Sequence, residues 1–358
     1  MAIYYQIDGS TIESRREVVN RMTVGLEKLS SQLPCLTAAV GMDPASKRVT
    51  LRTTGDNDAI LFLIRGVDTV SDEFPSYAEL EREHFGLGGW PASPSPSEVE
   101  DLERKMSARG CMIDSTKPDP NNPWSNMVAA PIKSAVVTIR REKIVAFKEE
   151  VAEKQATRVS SHDCVHTVLW SGIVQAKCAA GDADGFEDSW TIFPVTFRSI
   201  ANPDFPRNYI SNTSALNGAR LSIEALKGSE ALFEASVALR KVIRKVDAAY
   251  VKDAVAWLDS FEVPPSRTWM VSPPCKMDAL FTSWTDLDYH AWDLGSGPAT
   301  ALRPAISRIP FVFTLPPKTD GDGEEVFEAV VAASEKTHEI LMKDTVFRGF
   351  VKDYGLQP

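Results

Sequence analysis

The chain has 358 residues, 43% hydrophobic and 25% charged, with 23 prolines and 20 glycines; this is globular composition at a length that suits two domains or one two-lobed unit. A formal charge of −10 without a concentrated basic stripe disfavours nucleic acid, and no run approaches the roughly 18 apolar residues of a membrane span. Five scattered cysteines (Cys35, Cys111, Cys164, Cys178, Cys275) with no C-x-x-C, and no signal-peptide pattern at the N-terminus, make a cytoplasmic, reduced setting the expectation.

An extended opening, AIYYQI, gives way after Ser10 and Thr11 to an amphipathic helix on which Val18, Met22, Leu26, Leu29 and Leu33 share one face. LTAAVGMDPASKRVTLRTT predicts a hairpin about a polar, proline-containing turn. Residues 91–126 are proline-rich and polar, mostly loop with a short helix near 97–107. KSAVVTIRR predicts a strand and REKIVAFKEEVAEK a helix. SWTIFPVTF predicts a buried strand. GARLSIEALKGSEALFEASVALRKVIRKVDAAYVKDAVAWLDSF predicts a long helical region broken near Gly228–Ser229 and Val246–Asp247. WMVSPP, KMDALFTSW and RIPFVFTLPP predict strands, and the spacing of Val326, Val330 and Ile340 predicts a helix over EEVFEAVVAASEKTHEILMK. Loosely alternating strands and helices predict a mixed α/β or α+β architecture.

Few stretches carry a chemical signature. In SSHDCVHTVLW (160–170), His162 and His166 are four apart, as in the H-E-x-x-H of zinc hydrolases, but Asp163 is one methylene short and no third ligand lies at a recognisable spacing. The structural reading is a helix start capped by Ser160 or Ser161, with Asp163 in the first turn, and no metal is expected. GDADGFED (181–188) and TDGDGEE (319–325) have a faint calcium-loop look without its full spacing, and predict turns. HFGLGGW is no phosphate cradle, and P-loop and G-x-S-x-G motifs are absent.

FTSWTDLDYHAWDLGSGPA (281–299) resembles the signature of the BAHD-type acyltransferases: Thr282, Ser283 and Trp284 stand for [TS]-S-W, and Asp293, Gly295 and Gly297 for D-F-G-W-G. Leu294 and Ser296 replace the usual phenylalanine and tryptophan. RNYISNTSAL resembles the family's Y-x-G-N segment, SSHDCVHTVLW its S-[ST]-[NH]-D helix, and residues 308–344 its C-terminal strand, turn, strand and helix. These matches span residues 134–350 in the family's order. The branch they resemble most is the fungal trichothecene 3-O-acetyltransferase-like group of secondary metabolism. The resemblance implies a two-lobed, chloramphenicol-acetyltransferase-like fold, with an N-terminal lobe over 1–155, here shortened, and a C-terminal lobe over 156–358. It implies a monomer that takes acyl-CoA as co-substrate, binds no cofactor tightly, and acylates a small-molecule alcohol or amine. Thr282 and Trp284 would serve the substrate or the oxyanion, and Asp293, Gly295 and Gly297 would be structural.

The family's H-x-x-x-D-G, whose histidine is the general base, is missing. The residues four after the five histidines are Gly88, His166, Trp170, Leu294 and Met342. Three readings stay open: a gene model lacking the segment, a scaffold without turnover (a binding or regulatory protein, or a pocket that only promotes a cyclisation), and an enzyme whose base is replaced by His290 or His162.

Overall fold

The computed structural model describes residues 2–4, 12–32, 39–42, 49–52, 131–196, 198, 200, 214–251, 276–293, 297–304 and 310–356. Along the chain, β1 (Ala2–Tyr4) precedes α1 (Ile12–Gln32), and β2 (Ala39–Met42) and β3 (Val49–Arg52) form the expected antiparallel hairpin. On α1, Met22 and Leu26 are half-buried, whereas Leu29 is exposed; Leu33 and the Val18 side chain lie outside the described residues. So do the 97–107 helix, WMVSPP and HFGLGGW.

From β4 (Ile132–Arg140) the chain turns directly into α2 (Arg141–Gln155), which buries Ile144, Phe147 and Val151 at helical spacing. α3 (Ser161–Ala179) follows. Its N-cap is Ser160, whose hydroxyl accepts from Asp163 N while the Asp163 carboxylate accepts from Ser160 N, a reciprocal capping box. Every residue from Asp163 to Val174 is buried, so α3 is a central helix rather than a surface one. Trp170 and Leu169 are fully buried, and each such side chain stabilises the fold by about 1.5–3 kcal/mol. A turn over 180–187 leads to β5 (Asp188–Thr196), then to β6 (Ser214–Ser222), α4 (Ile223–Lys227) and α5 (Ala231–Arg244).

The long helical region therefore starts later than its sequence predicts, because Gly218–Ser222 pair with β5 as the end of β6. Gly218 sits there because a Cβ would meet the Trp190 ring at 3.0 Å. The chain continues through β7 (Ala279–Ser283), a short 3-10 turn (Tyr289–Ala291), β8 (Ala301–Arg303) and β9 (Val312–Thr319). It ends with β10 (Glu325–Ser334), α6 (Glu335–Leu341), α7 (Thr345–Phe350) and β11 (Val351–Leu356).

The helix expected over EEVFEAVVAASEKTHEILMK is thus corrected to a ten-residue strand followed by a seven-residue helix. Val326 and Val330 fit a helical spacing, but β10 is flanked on both sides, by β4 and by β9, and Ala329–Ala333 are buried on both faces. A strand buried on both faces is a continuous apolar run, which periodicity cannot distinguish from a buried helix.

The chain forms two compact units: Met1–Lys117 with Phe261–Ser266 and Asp288–Arg303, and Pro118–Ser260 with Arg267–Leu287 and Pro304–Pro358. The first holds α1, the β2–β3 hairpin and the antiparallel β1–β8 pair. The second is built on a mixed seven-stranded sheet of order β11-β4-β10-β9-β7-β5-β6, in which β7 runs parallel to β5 and β9 and the other pairs are antiparallel. β4 and α2, which the sequence reading assigns to the 1–155 lobe, belong to this sheet and its core. One sheet face, with Ala135, Phe281, Val312 and Val331, joins helices α2, α3, α5, α6 and α7 in the main core.

Candidate functional site

The [TS]-S-W stretch lies at the C-terminal end of β7. Thr282 pairs with Phe313, Phe313 with Val330, and Val330 with Val136, so these four form a row across the sheet. Directly paired residues share a face, which places the row on the side opposite Phe281 and the helices. Trp284 lies on the row's side: its ring meets Phe313 edge-on at 5.1 Å and packs against the cluster of Val136, Leu315 and Val330. Its backbone N–H donates to Thr314 O at 2.8 Å, which continues the β7–β9 ladder by one residue and fixes the indole's position. Thr282 and Trp284 are both half-buried. After them the Ser283 and Thr285 hydroxyls share a hydrogen bond of 2.8 Å and turn the chain.

This face carries charge that the sequence reading missed. Glu328 is paired with Leu315 and Thr138, is 3% exposed, and forms an ion pair with Lys318 at 2.6 Å. The signal was a lone glutamate within the apolar run VFEAVVAA, since a buried carboxylate must be paired.

The two histidines of SSHDCVHTVLW sit on the other side of the sheet. His166 is stacked on Phe281 at 3.7 Å, meets Phe193 edge-on at 5.3 Å, and is hydrogen-bonded through Nε2 to Thr191 Oγ1 at 2.5 Å. Burial, and then the neighbouring His162, hold its pKa well below the ordinary histidine value. His162 is half-buried at the start of α3, its ring 6.0 Å from that of His166. Burial and the Arg240 charge lower its pKa, and Asp286 partly opposes them. His162 is therefore a neutral imidazole able to accept a proton, and the Asp286 that acts on it lies two residues beyond Trp284. Cys164, between them, is buried, with its thiol pushed up to about 12, and has no nucleophilic character.

His290 and the second signature element belong to the other unit. His290 is exposed, its ring 3.9 Å from that of Tyr289. Asp293 Oδ1 accepts from Gly297 N at 3.0 Å, and Asp293 bridges to Pro298, which closes a tight loop. Gly297 supplies the φ of +102° this closure needs, which an L side chain rarely adopts. Gly295 lies outside the described residues. Among the described residues no group of three or more His, Cys, Asp or Glu side chains is placed to hold a metal ion, and no helix is long and apolar enough to cross a membrane.

No family model matches the chain. It is 28% identical over 192 residues to an anthranilate N-benzoyltransferase of Dianthus caryophyllus, covering 52% of this chain and 41% of that protein. It is 24% identical over 217 residues to tryptamine benzoyltransferase 1 of Oryza sativa subsp. japonica, covering 58% and 46%. The chain thus spans a little under half the length of the curated relatives it matches. Among solved structures, TRI101 of F. sporotrichioides complexed with coenzyme A and T-2 aligns over 99% of this chain and 96% of its own, at 14% identity and a TM-score of 0.72. That likeness shows the fold, the α/β class expected from the sequence, and the relatives support the BAHD acyltransferase resemblance.

Proposed function

We propose that the protein is an acyl-CoA-dependent acyltransferase of the BAHD type that transfers an acyl group to a hydroxyl or amine of a small molecule. The observation that carries this reading is the placement of Thr282-Ser283-Trp284: the indole and the Thr282 side chain share the sheet face away from the helices, in a chain with benzoyltransferase relatives and a TRI101-like fold. In the transfer, the acceptor's oxygen or nitrogen attacks the thioester carbonyl, a base takes its proton, and the tetrahedral oxyanion collapses to release the CoA thiol. An indole N–H or a threonine hydroxyl is a suitable donor to that oxyanion. Asp293 and Gly297 act as a loop brace, consistent with a structural role for the D-x-G-x-G element. The wider reading is a cytoplasmic, monomeric protein of fungal secondary metabolism.

A second reading is favoured by the missing H-x-x-x-D: a scaffold that binds acyl-CoA without turning it over. Purified chain incubated with acetyl-CoA or benzoyl-CoA and a panel of alcohols and amines, followed by free-thiol release, separates the two, with coenzyme A binding measured by calorimetry. Acceptor-dependent thiol release establishes the transferase. Binding without release establishes the scaffold, and absence of both overturns each.

A further inference from the structure

His338 is fully buried on α6, and both of its ring nitrogens are engaged. Nε2 is 3.1 Å from Lys133 O in β4, and Nδ1 is bonded to the Tyr354 hydroxyl in β11. A carbonyl oxygen only accepts, so Nε2 carries the proton; Nδ1 is then the acceptor and the phenol donates to it. One neutral tautomer therefore ties α6 to two strands at once. The tie matters because β11 is the edge strand of the seven-stranded sheet, held laterally by β4 alone among the described strands, with a bulge between Val351 and Asp353.

We propose that His338 is an acid-sensitive latch that keeps β11 on the sheet while the imidazole is neutral and lets it detach when the ring is protonated. Protonation at Nδ1 places an N–H against the phenolic O–H, so the Tyr354 bond must be given up or reversed, and it puts a charge where no solvent reaches.

The surroundings decide whether that charge finds compensation. From β4, the Lys133 carbonyl that accepts from Nε2 favours the imidazolium, whereas the Lys133 ammonium disfavours it; from its own helix, Glu335 favours it, but Glu335 is already paired with Lys133 at 2.6 Å. From α3, Lys177 donates to Asp278 O at 2.9 Å, and it lines a cleft of about 550 Å³ together with Lys133, Glu335 and Thr337. The core residues on this side, among them Val331 and Ala333 of β10 and Leu169 and Ile173 of α3, carry no charge. Tyr354 in β11 is the remaining titratable neighbour, and burial raises its pKa. Desolvation thus dominates and holds the His338 pKa below the ordinary value. The folded state then binds fewer protons than the unfolded one, so the tie is at full strength above about pH 6.5 and weakens as pH falls below it.

The remaining ties on β11 are outside this titration. Arg140 donates to Val351 O at 2.5 Å, and Lys352 is paired with Asp320 and Glu324. They hold the strand's start, whereas the bond that titrates is on Tyr354, whose ring also meets Phe347; the stretch proposed to loosen is therefore Asp353 to Leu356, which pairs with Thr138–Ala135 of β4.

The test is amide hydrogen exchange of the full chain at about pH 7.5 and about pH 5.5, corrected for the intrinsic pH dependence of exchange. Protection of Asp353–Leu356 should fall by up to about tenfold per pH unit more than that of α3, which carries only the loss that His166 imposes on the whole fold. In His338→Gln, which cannot titrate, the acid step should disappear. In Tyr354→Phe, which keeps the imidazole but cuts its link to β11, protection should be low at both pH values, with no step. Loss of β11 and α3 protection in parallel would overturn the proposal, as would an undiminished acid step in either variant.

Discussion

Asp163 and Arg240 form an ion pair between the first turn of α3 and the last turns of α5, with the carboxylate 1% and the guanidinium 19% exposed. The same carboxylate oxygen accepts from Ser160 N, so one side chain both caps α3 and holds α5. Removing only the cation strands a buried anion, and Arg240→Met should cost about 3–5 kcal/mol in urea unfolding. Asp163→Asn keeps part of the cap and should cost less. The double variant Asp163→Asn/Arg240→Met should recover part of the Arg240→Met loss, because no unpaired charge remains; losses that simply add would argue against a coupled pair.

His166 makes a different prediction, about pH. Its buried ring has a pKa well below the ordinary histidine value, chiefly through desolvation. A lowered folded-state pKa means that stability is fully present above the unfolded value, about 6.5, and is lost as pH falls below it. Each such histidine adds at most about 1.4 kcal/mol of loss per pH unit. His166→Gln should flatten global stability against pH over the acid range, read by urea titration at several pH values. A slope identical to that of the parent protein would contradict this.

How far the sequence reveals these features depends on whether the signal is local. The α3 start was legible in Ser160 and Asp163 because a helix cap is chemistry within four consecutive residues, and it outweighed the zinc-like spacing of His162 and His166. The β2–β3 hairpin and β5 were legible for the same reason. β10 was legible only through the family resemblance, which implies strand, turn, strand and helix there, and not through periodicity, since its partners β4 and β9 are non-local and its double-sided burial erases the alternation that marks a strand. The candidate site divides likewise. Thr282 and Trp284 stand out as a motif, but the sheet face they share is a matter of register, and the Glu328–Lys318 pair of side-chain reach across a hairpin.

The turn between β9 and β10 resembles a calcium loop in sequence, and the structure shows what occupies its carboxylates. Lys352 Nζ lies 2.6 Å from Asp320, 2.8 Å from Asp322 and 2.8 Å from Glu324, while Asp320 Oδ1 accepts from the backbone N–H groups of Asp322 and Glu324. The three carboxylates raise the pKa of Lys352, and its ammonium, with the backbone N–H groups of Glu324 and Asp322, lowers that of Asp320. Adding millimolar-range calcium should therefore leave Tm unchanged. Lys352→Met should lower Tm slightly, and less so in high salt, where solvated pairs are screened. A calcium-dependent rise in the parent protein would show that the loop takes a metal in preference to the lysine.

Gly172 sits where α3 passes beneath the C-terminal helices. A Cβ there would lie 2.9 Å from Phe347 Cδ2 and 3.2 Å from Leu341 Cδ2, both buried side chains. Gly172→Ala gains helix propensity but forces α7 to move, and should be destabilising by about 1–3 kcal/mol. Phe347→Leu in the same chain should return part of that loss by making room. A Gly172→Ala protein more stable than the parent would show that α7 yields freely.

The last prediction concerns Trp284, the residue on which the acyltransferase reading leans most. Its ring is half-buried against Phe313, and its backbone is fixed by the bond to Thr314 O, so two roles can be told apart by the substituent. Trp284→Phe keeps an aromatic ring in the cluster of Val136, Leu315 and Val330 but has no N–H. If the indole donates to the oxyanion, this variant should fold with nearly the parent's Tm and lose about 10²–10³-fold in the rate of thiol release, with coenzyme A binding intact. If the indole only packs, Trp284→Phe should be nearly silent in rate. Trp284→Ala should then lose stability by about 3–5 kcal/mol from the cavity alone. Unchanged turnover in both variants would remove Trp284 from the chemistry and leave Thr282 as the donor to examine on that face.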